Sequence, residues 1–111
     1  MSTINFDQLY QNLESGVESL AKSSLQNYLE QATSDGENVI DGMKEDLQQW
    51  AQAVASGSMT YEDLGFLLKE ETALNEMTAL KEAGLAEVKI DEFKLDIVNL
   101  VMSAVTGLIK V

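Results

Sequence analysis

Residues 4–33, INFDQLYQNLESGVESLAKSSLQNYLEQAT, contain the pattern that decides the fold. Apolar side chains recur along this stretch at steps of three and four residues, which is the spacing of one face of an α-helix. Asn5 is a predicted N-cap, and Ile4 and Leu9 have the spacing of a hydrophobic staple. We therefore predict a helix over residues 6–33. Its apolar stripe consists of Phe6, Leu9, Leu13, Val17, Leu20 and Tyr28.

A second helix is predicted after a break at residues 34–37. Ser34 and Glu37 have the spacing of a capping box, and Gly36 weakens helix continuity. The apolar stripe that follows ends before the loop residues 56–58, which read Ser-Gly-Ser. The prediction is a helix over residues 36–56. One long helix that kinks near Gly36 is the alternative.

Two further helices complete the predicted fold. Thr60 is a predicted N-cap for a helix over residues 61–83, and Gly84 is expected to end that helix in a Schellman motif. Asp91 is a predicted N-cap for the last helix, over residues 91–109. Period-two alternation, the signature of a half-buried strand, never lasts beyond about four residues. The sequence therefore predicts an all-α fold, a single helical domain over residues 1–111. Its expected architecture is an antiparallel helical bundle of about four helices, with a long helical hairpin as the alternative.

The composition of the chain excludes most catalytic chemistry. Among its 111 residues there is no His, Cys or Arg. The chain therefore lacks the imidazole and thiol groups of the common nucleophilic sites, and it lacks the guanidinium group that grips phosphate. No Gly-rich phosphate-binding motif occurs. We expect no enzyme activity, no catalytic residues and no cofactor.

The charge of the chain also limits its partners. Nineteen acidic residues against seven lysines give a formal net charge of −12, and the lysines are scattered. Binding to nucleic acid needs clustered cations, so we expect none. The acidic residues Asp35, Glu37, Asp41, Glu45 and Asp46 lie close together but lack the spacing of a calcium-binding loop. We interpret them as a solvated face rather than a metal site.

The sequence shows no targeting signal. The N-terminus has neither the basic nor the apolar segment of a secretory signal, and the longest uncharged stretch near the end, residues 97–109, has 13 residues. A membrane span needs about 20. We therefore expect a cytoplasmic protein for which membrane association is unfavourable.

The last predicted helix is apolar on more than one side, which is typical of a helix that is central in a core or covered by a partner. The sequence favours a non-catalytic protein–protein interaction module that self-associates, with a homodimer as the expected oligomer and any other partner protein unknown. Two alternatives are lipid association through amphipathic helices and an acidic inhibitor or immunity-type protein for a basic partner. The candidate interface residues are Phe93, Ile97, Val98, Val101, Met102, Val105, Leu108 and Ile109.

Overall fold

The computed structural model describes residues 4–109, and every regular element within that range is a helix. The prediction of an all-α helical bundle is confirmed. A short 3-10 turn, Gln26–Tyr28, joins the first two helices. The five α-helices are α1, Phe6–Ser24; α2, Leu29–Ser56; α3, Tyr61–Leu74; α4, Thr78–Glu82; and α5, Glu87–Leu108.

The first two helices form an antiparallel hairpin that turns at Leu25. The Tyr10 hydroxyl near the start of α1 donates a hydrogen bond to the backbone carbonyl of Lys44, in the second half of α2, at 3.2 Å. The predicted break at residues 34–37 and the predicted helix over 6–33 are therefore wrong, since α2 runs without interruption through Gly36. The buried Leu25 ends α1 instead, and its N–H donates to the carbonyl of Ala21.

Gly36 is buried in α2 because α1 approaches it closely. A Cβ atom at this position would lie 2.5 Å from Cγ1 of Val17, well inside van der Waals contact. The glycine that weakens helix continuity in the sequence therefore allows two helices to pack together. The β-branched Val17 has little rotamer freedom in a helix, so it cannot easily move aside.

We expect the variant Gly36→Ala to destabilise the fold by about 1–2 kcal/mol, because overpacking outweighs the helix propensity that Ala gains. Gly42 is the matched control. It also lies in α2, and a Cβ there would meet no atom within 4 Å. Gly42→Ala should therefore stabilise the protein by about 1 kcal/mol. Urea unfolding followed by circular dichroism measures both, and equal effects of the two variants would contradict this packing.

The single helix predicted over residues 61–83 is two helices in the structure. Its predicted start is confirmed, because Thr60 and Asp63 form a reciprocal capping box. However, α3 ends at Leu74, and the chain then turns through Asn75, whose side chain accepts a hydrogen bond from the N–H of Met77 at 2.8 Å. Met77 has a left-handed backbone with φ of 48°, which a non-glycine residue adopts at a cost in strain.

The short helix α4 has its N-terminus capped by a residue far away in the sequence. Both carboxylate oxygens of Asp35, in α2, accept backbone hydrogen bonds, from Ala79 N–H at 3.2 Å and from Leu80 N–H at 2.8 Å. Met77, at the N-cap position of α4, makes no side-chain cap. Asp35 is only 4% exposed. This carboxylate therefore ties α4 to the first half of α2.

The predicted Schellman motif at Gly84 is confirmed at the end of α4, whereas the predicted start of the last helix is wrong. Gly84 has φ of 91°, and the Leu85 N–H donates to the Leu80 carbonyl, as in a Schellman motif. The helix predicted over residues 91–109 begins earlier, at Glu87, with Ala86 and not Asp91 at the N-cap. The extra turn places Ile90 in the core.

The core lies along the axis of an elongated bundle of 46 × 23 × 19 Å. Helix α5 packs against α1 on one side and α3 on the other, and α2 covers the remaining side of α1. Trp50, the only tryptophan, is half-buried against this core. The largest fully buried side chains are Phe93, Leu9, Leu13, Ile40, Met43, Leu47, Leu64, Leu68, Met77, Leu80, Ile97 and Val17.

Candidate functional site

The structure places most of the predicted interface residues inside the core. Met102 and Leu108 are half-buried, while the other six are buried by the chain's own helices. The reason is that α1 and α3 both pack on α5, so its apolar surface is covered within one chain. Of the two positions that the sequence allows for this helix, the structure shows the central one, in the core, at six of the eight candidate residues. The six buried residues are Phe93, Ile97, Val98, Val101, Val105 and Ile109.

Exposed apolar side chains lie instead on the outer side of α3 and α5. Phe66 on α3 is 71% exposed, and Leu95 on α5 is 51% exposed. Residues seven positions apart lie within about 20° of each other around a helix. By that spacing Ala73 shares the side of Phe66, and Val88 and Met102 share the side of Leu95. We call these five residues the α3–α5 face.

A groove runs between the two helices within this face. The helices are antiparallel, as a Cβ at Gly65 would lie 3.7 Å from Cε of Met102, near the other end of α5. The groove has a volume of about 290 Å³, near the lower limit of typical small-molecule sites. Its lining includes Lys69, Thr72 and Ala73 from α3 and Lys94, Leu95 and Val98 from α5.

Polar groups are few in this groove, and one of them has no partner. Thr72 is 1% exposed, and its hydroxyl Oγ1 is buried without a hydrogen bond. The ammonium group of Lys94 donates to the backbone carbonyl of Ala73 at 3.4 Å. Lys69 and Asp91 add one positive and one negative charge to the lining. The groove therefore carries a net charge of about +1 within an acidic chain.

The structure also brings together two carboxylates that the sequence does not single out. Glu71 on α3 faces Asp46 on α2. Burial raises the pKa of Glu71 above its ordinary value of 4.5, and the negative charge of Asp46 raises it further. Acid–base catalysis would need such a pair in a cleft together with groups that bind a substrate. Both side chains are half-buried, and we interpret the pair as repulsion between neighbouring helices.

The variant Glu71→Gln is expected to stabilise the protein at neutral pH. Because folding raises the pKa of Glu71, the free energy of unfolding falls as the pH rises from about 4.5 through the raised value, and it stays lower above that. Glutamine does not ionise, so the variant avoids this decrease in the free energy of unfolding. We expect a gain of about 0.2–1 kcal/mol, the scale of exposed charge pairs.

Urea unfolding at pH 8 and pH 5 tests this expectation for Glu71. The gain from Glu71→Gln should be larger at pH 8. The neighbouring Glu70, which is exposed, supplies the control Glu70→Gln, for which we expect little change at either pH. A gain from Glu71→Gln that is the same at both pH values would contradict the assigned repulsion.

The remaining acidic residues do not converge. Of the sequence cluster at residues 35–46, Asp35 turns inward to cap α4, and Asp41 pairs with Lys44 at 3.3 Å. Within residues 4–109, no three carboxylates are placed to hold a metal ion. No helix in the same range is long and apolar enough to cross a bilayer. No protein-family model matches the chain, and no curated protein or solved structure is detectably similar to it.

Proposed function

We propose that this protein is a non-catalytic interaction module that forms a homodimer, and that the α3–α5 face is its contact surface. The exposed Phe66 carries the proposal. A phenylalanine that is 71% exposed has no role in the core, and aromatic side chains are enriched at protein–protein interfaces. Leu95 and Val88 extend the same apolar surface along α5.

Charge also supports this choice of face. Two copies with a formal net charge of −12 repel each other, so a dimer is favoured where the local charge is least negative. On the α1–α2 side the lysines do little to reduce the repulsion between two copies, because Lys22 and Lys44 each lie near an acidic residue of their own helix. Lys69 and Lys94 line the groove of the α3–α5 face and are available to acidic residues of a second copy.

Sedimentation equilibrium across micromolar concentrations tests the proposal. We expect the parent chain to have the mass of a dimer. The double variant Phe66→Ser/Leu95→Ser should have the mass of a monomer while its circular dichroism spectrum stays helical. The control is Leu74→Ser, because Leu74 is 83% exposed but lies beside Val39 and Gly42 of α2. It should leave the dimer intact.

Two results would contradict the proposal. A parent chain that stays monomeric at high micromolar concentration excludes self-association. A dimer that survives the double variant but dissociates in Leu74→Ser would place the contact on the α2 side of α3 and not on the α3–α5 face.

A further inference from the structure

We propose that the groove between α3 and α5 binds a small monocarboxylate with a short aliphatic chain. This site goes beyond the proposed dimer, because a single chain supplies every residue that the binding requires. A second copy on the α3–α5 face would cover the same groove and use the same lysines, so the ligand binds the monomer in competition with the dimer. Three features of the groove support it: an apolar lining, a local excess of positive charge, and a buried hydroxyl without a partner.

The apolar lining selects the aliphatic part of the ligand. Ala73, Leu95 and Val98 supply aliphatic side chains. A volume of about 290 Å³ is enough for a short aliphatic chain. Apolar surface that leaves water on binding provides the affinity.

The lysines select a negatively charged head group. Lys69 makes no ion pair within residues 4–109. Lys94 uses one of its three donors on the Ala73 carbonyl. Charge-assisted hydrogen bonds from two ammonium groups outweigh the single charge of Asp91, so an anion is favoured over a cation of the same size.

Thr72 supplies a further hydrogen bond. Its hydroxyl is covered in the unliganded chain, and a rotation of about 120° about χ1 moves Oγ1 to another of the staggered positions around Cβ. Threonine populates two such rotamers in a helix, so the rotation is accessible. In the second rotamer the hydroxyl donates to a carboxylate oxygen, which gives the buried group the partner that it lacks within the chain.

Titration of the isotope-labelled full chain with sodium octanoate, at a protein concentration at which the chain sediments as a monomer and followed by amide chemical shifts, tests the inference. We expect saturable shifts confined to the second half of α3 and the first half of α5, with a Kd of about 1 mM or tighter. Octyltrimethylammonium, a cation with a chain of the same length, should bind more weakly. The same titration, at the same low protein concentration, gives the Kd of each variant for octanoate.

Two variants with a matched control distinguish specific binding in the groove from nonspecific hydrophobic binding. Lys69→Met should raise the Kd for octanoate at least about threefold, whereas Lys81→Met, the same charge change outside this groove, should not. Thr72→Val keeps the shape of the side chain, removes the hydroxyl, and should also weaken binding. We expect it to stay folded, because it removes a buried group without a partner.

Three results would overturn the inference: shifts that do not saturate, equal or tighter binding of the cation, and equal effects of Lys69→Met and Lys81→Met. Each is distinguishable from failure of the proposed dimer. A chain that sediments as a strict monomer and still binds octanoate in this groove supports the ligand site while excluding self-association.

Discussion

Replacing Phe93 by Ala is expected to lower the free energy of unfolding by about 3–5 kcal/mol, the largest effect among the substitutions considered. Phe93 is 1% exposed and is the largest fully buried side chain among residues 4–109. A Cβ at Gly36 of α2 would lie 3.6 Å from the tip of its ring, so the ring reaches the backbone of a second helix. Truncation removes apolar burial and leaves a cavity that the close-packed helices cannot fill.

The matched control for this variant is Phe66→Ala. Phe66 is 71% exposed, so we expect its truncation to change the free energy of unfolding by less than about 0.5 kcal/mol. Urea unfolding followed by circular dichroism compares the two. The contrast separates a core residue from an interface residue: Phe93→Ala should act on unfolding, and Phe66→Ala on association.

A loss of about 3–5 kcal/mol is a large part of the total stability of a typical small domain, roughly 5–15 kcal/mol, so a second variant with a smaller loss is also needed. Phe93→Leu keeps most of the apolar volume and gives a smaller loss that can still be quantified. If Phe93→Ala and Phe93→Leu both cost no more than Phe66→Ala, the assignment of Phe93 to the core is wrong.

The sequence is informative wherever the deciding hydrogen bonds are local. Asn5 caps α1 by accepting from the Gln8 N–H, three residues away, and Thr60 with Asp63 caps α3 over the same distance. The Schellman motif at Gly84 closes within a single turn. These interactions join neighbours in the chain, so residue type and spacing are enough to predict them.

Prediction fails where a residue acts on a distant element. In the sequence Gly36 indicates a helix break. In the structure it gives Val17, on another helix, room to pack against α2. The burial of α5 likewise depends on where α1 and α3 pack, which no local pattern records. A signal for the α3–α5 face was nevertheless present in the sequence. Val88, Leu95 and Met102 recur every seven residues, on a side of α5 that the buried Phe93 does not share.

Asp35 provides the second large prediction, because its carboxylate accepts hydrogen bonds from residues more than forty positions away in the sequence. We expect Asp35→Ala to cost about 2–3 kcal/mol. The variant leaves the N–H groups of Ala79 and Leu80 without their acceptor, and it removes a negative charge from the positive end of α4. The better helix propensity of Ala in α2 offsets only about 0.5 kcal/mol of this loss.

The milder variant Asp35→Asn tests whether the lost hydrogen bonds cause the destabilisation. Its amide oxygen can accept from the Leu80 N–H, whereas its NH2 group would replace the oxygen that accepts from Ala79 and cannot accept, so the loss should be smaller than in Asp35→Ala. Glu37→Ala is the control, since Glu37 is an exposed acid on the same helix. Urea unfolding ranks the three variants.

Hydrogen exchange then locates the effect of Asp35. In Asp35→Ala the amides of Ala79 and Leu80 should exchange faster, while the amide of Ile97 in the middle of α5 should change only with global stability. Equal losses in Asp35→Ala and Glu37→Ala, or unchanged exchange at Leu80, would contradict the cap. The predicted order follows from geometry alone: one buried carboxylate holds a five-residue helix whose own N-cap position, Met77, supplies no side-chain acceptor. A helix this short is not stable by itself, so its N-terminus depends on the acceptor that α2 provides.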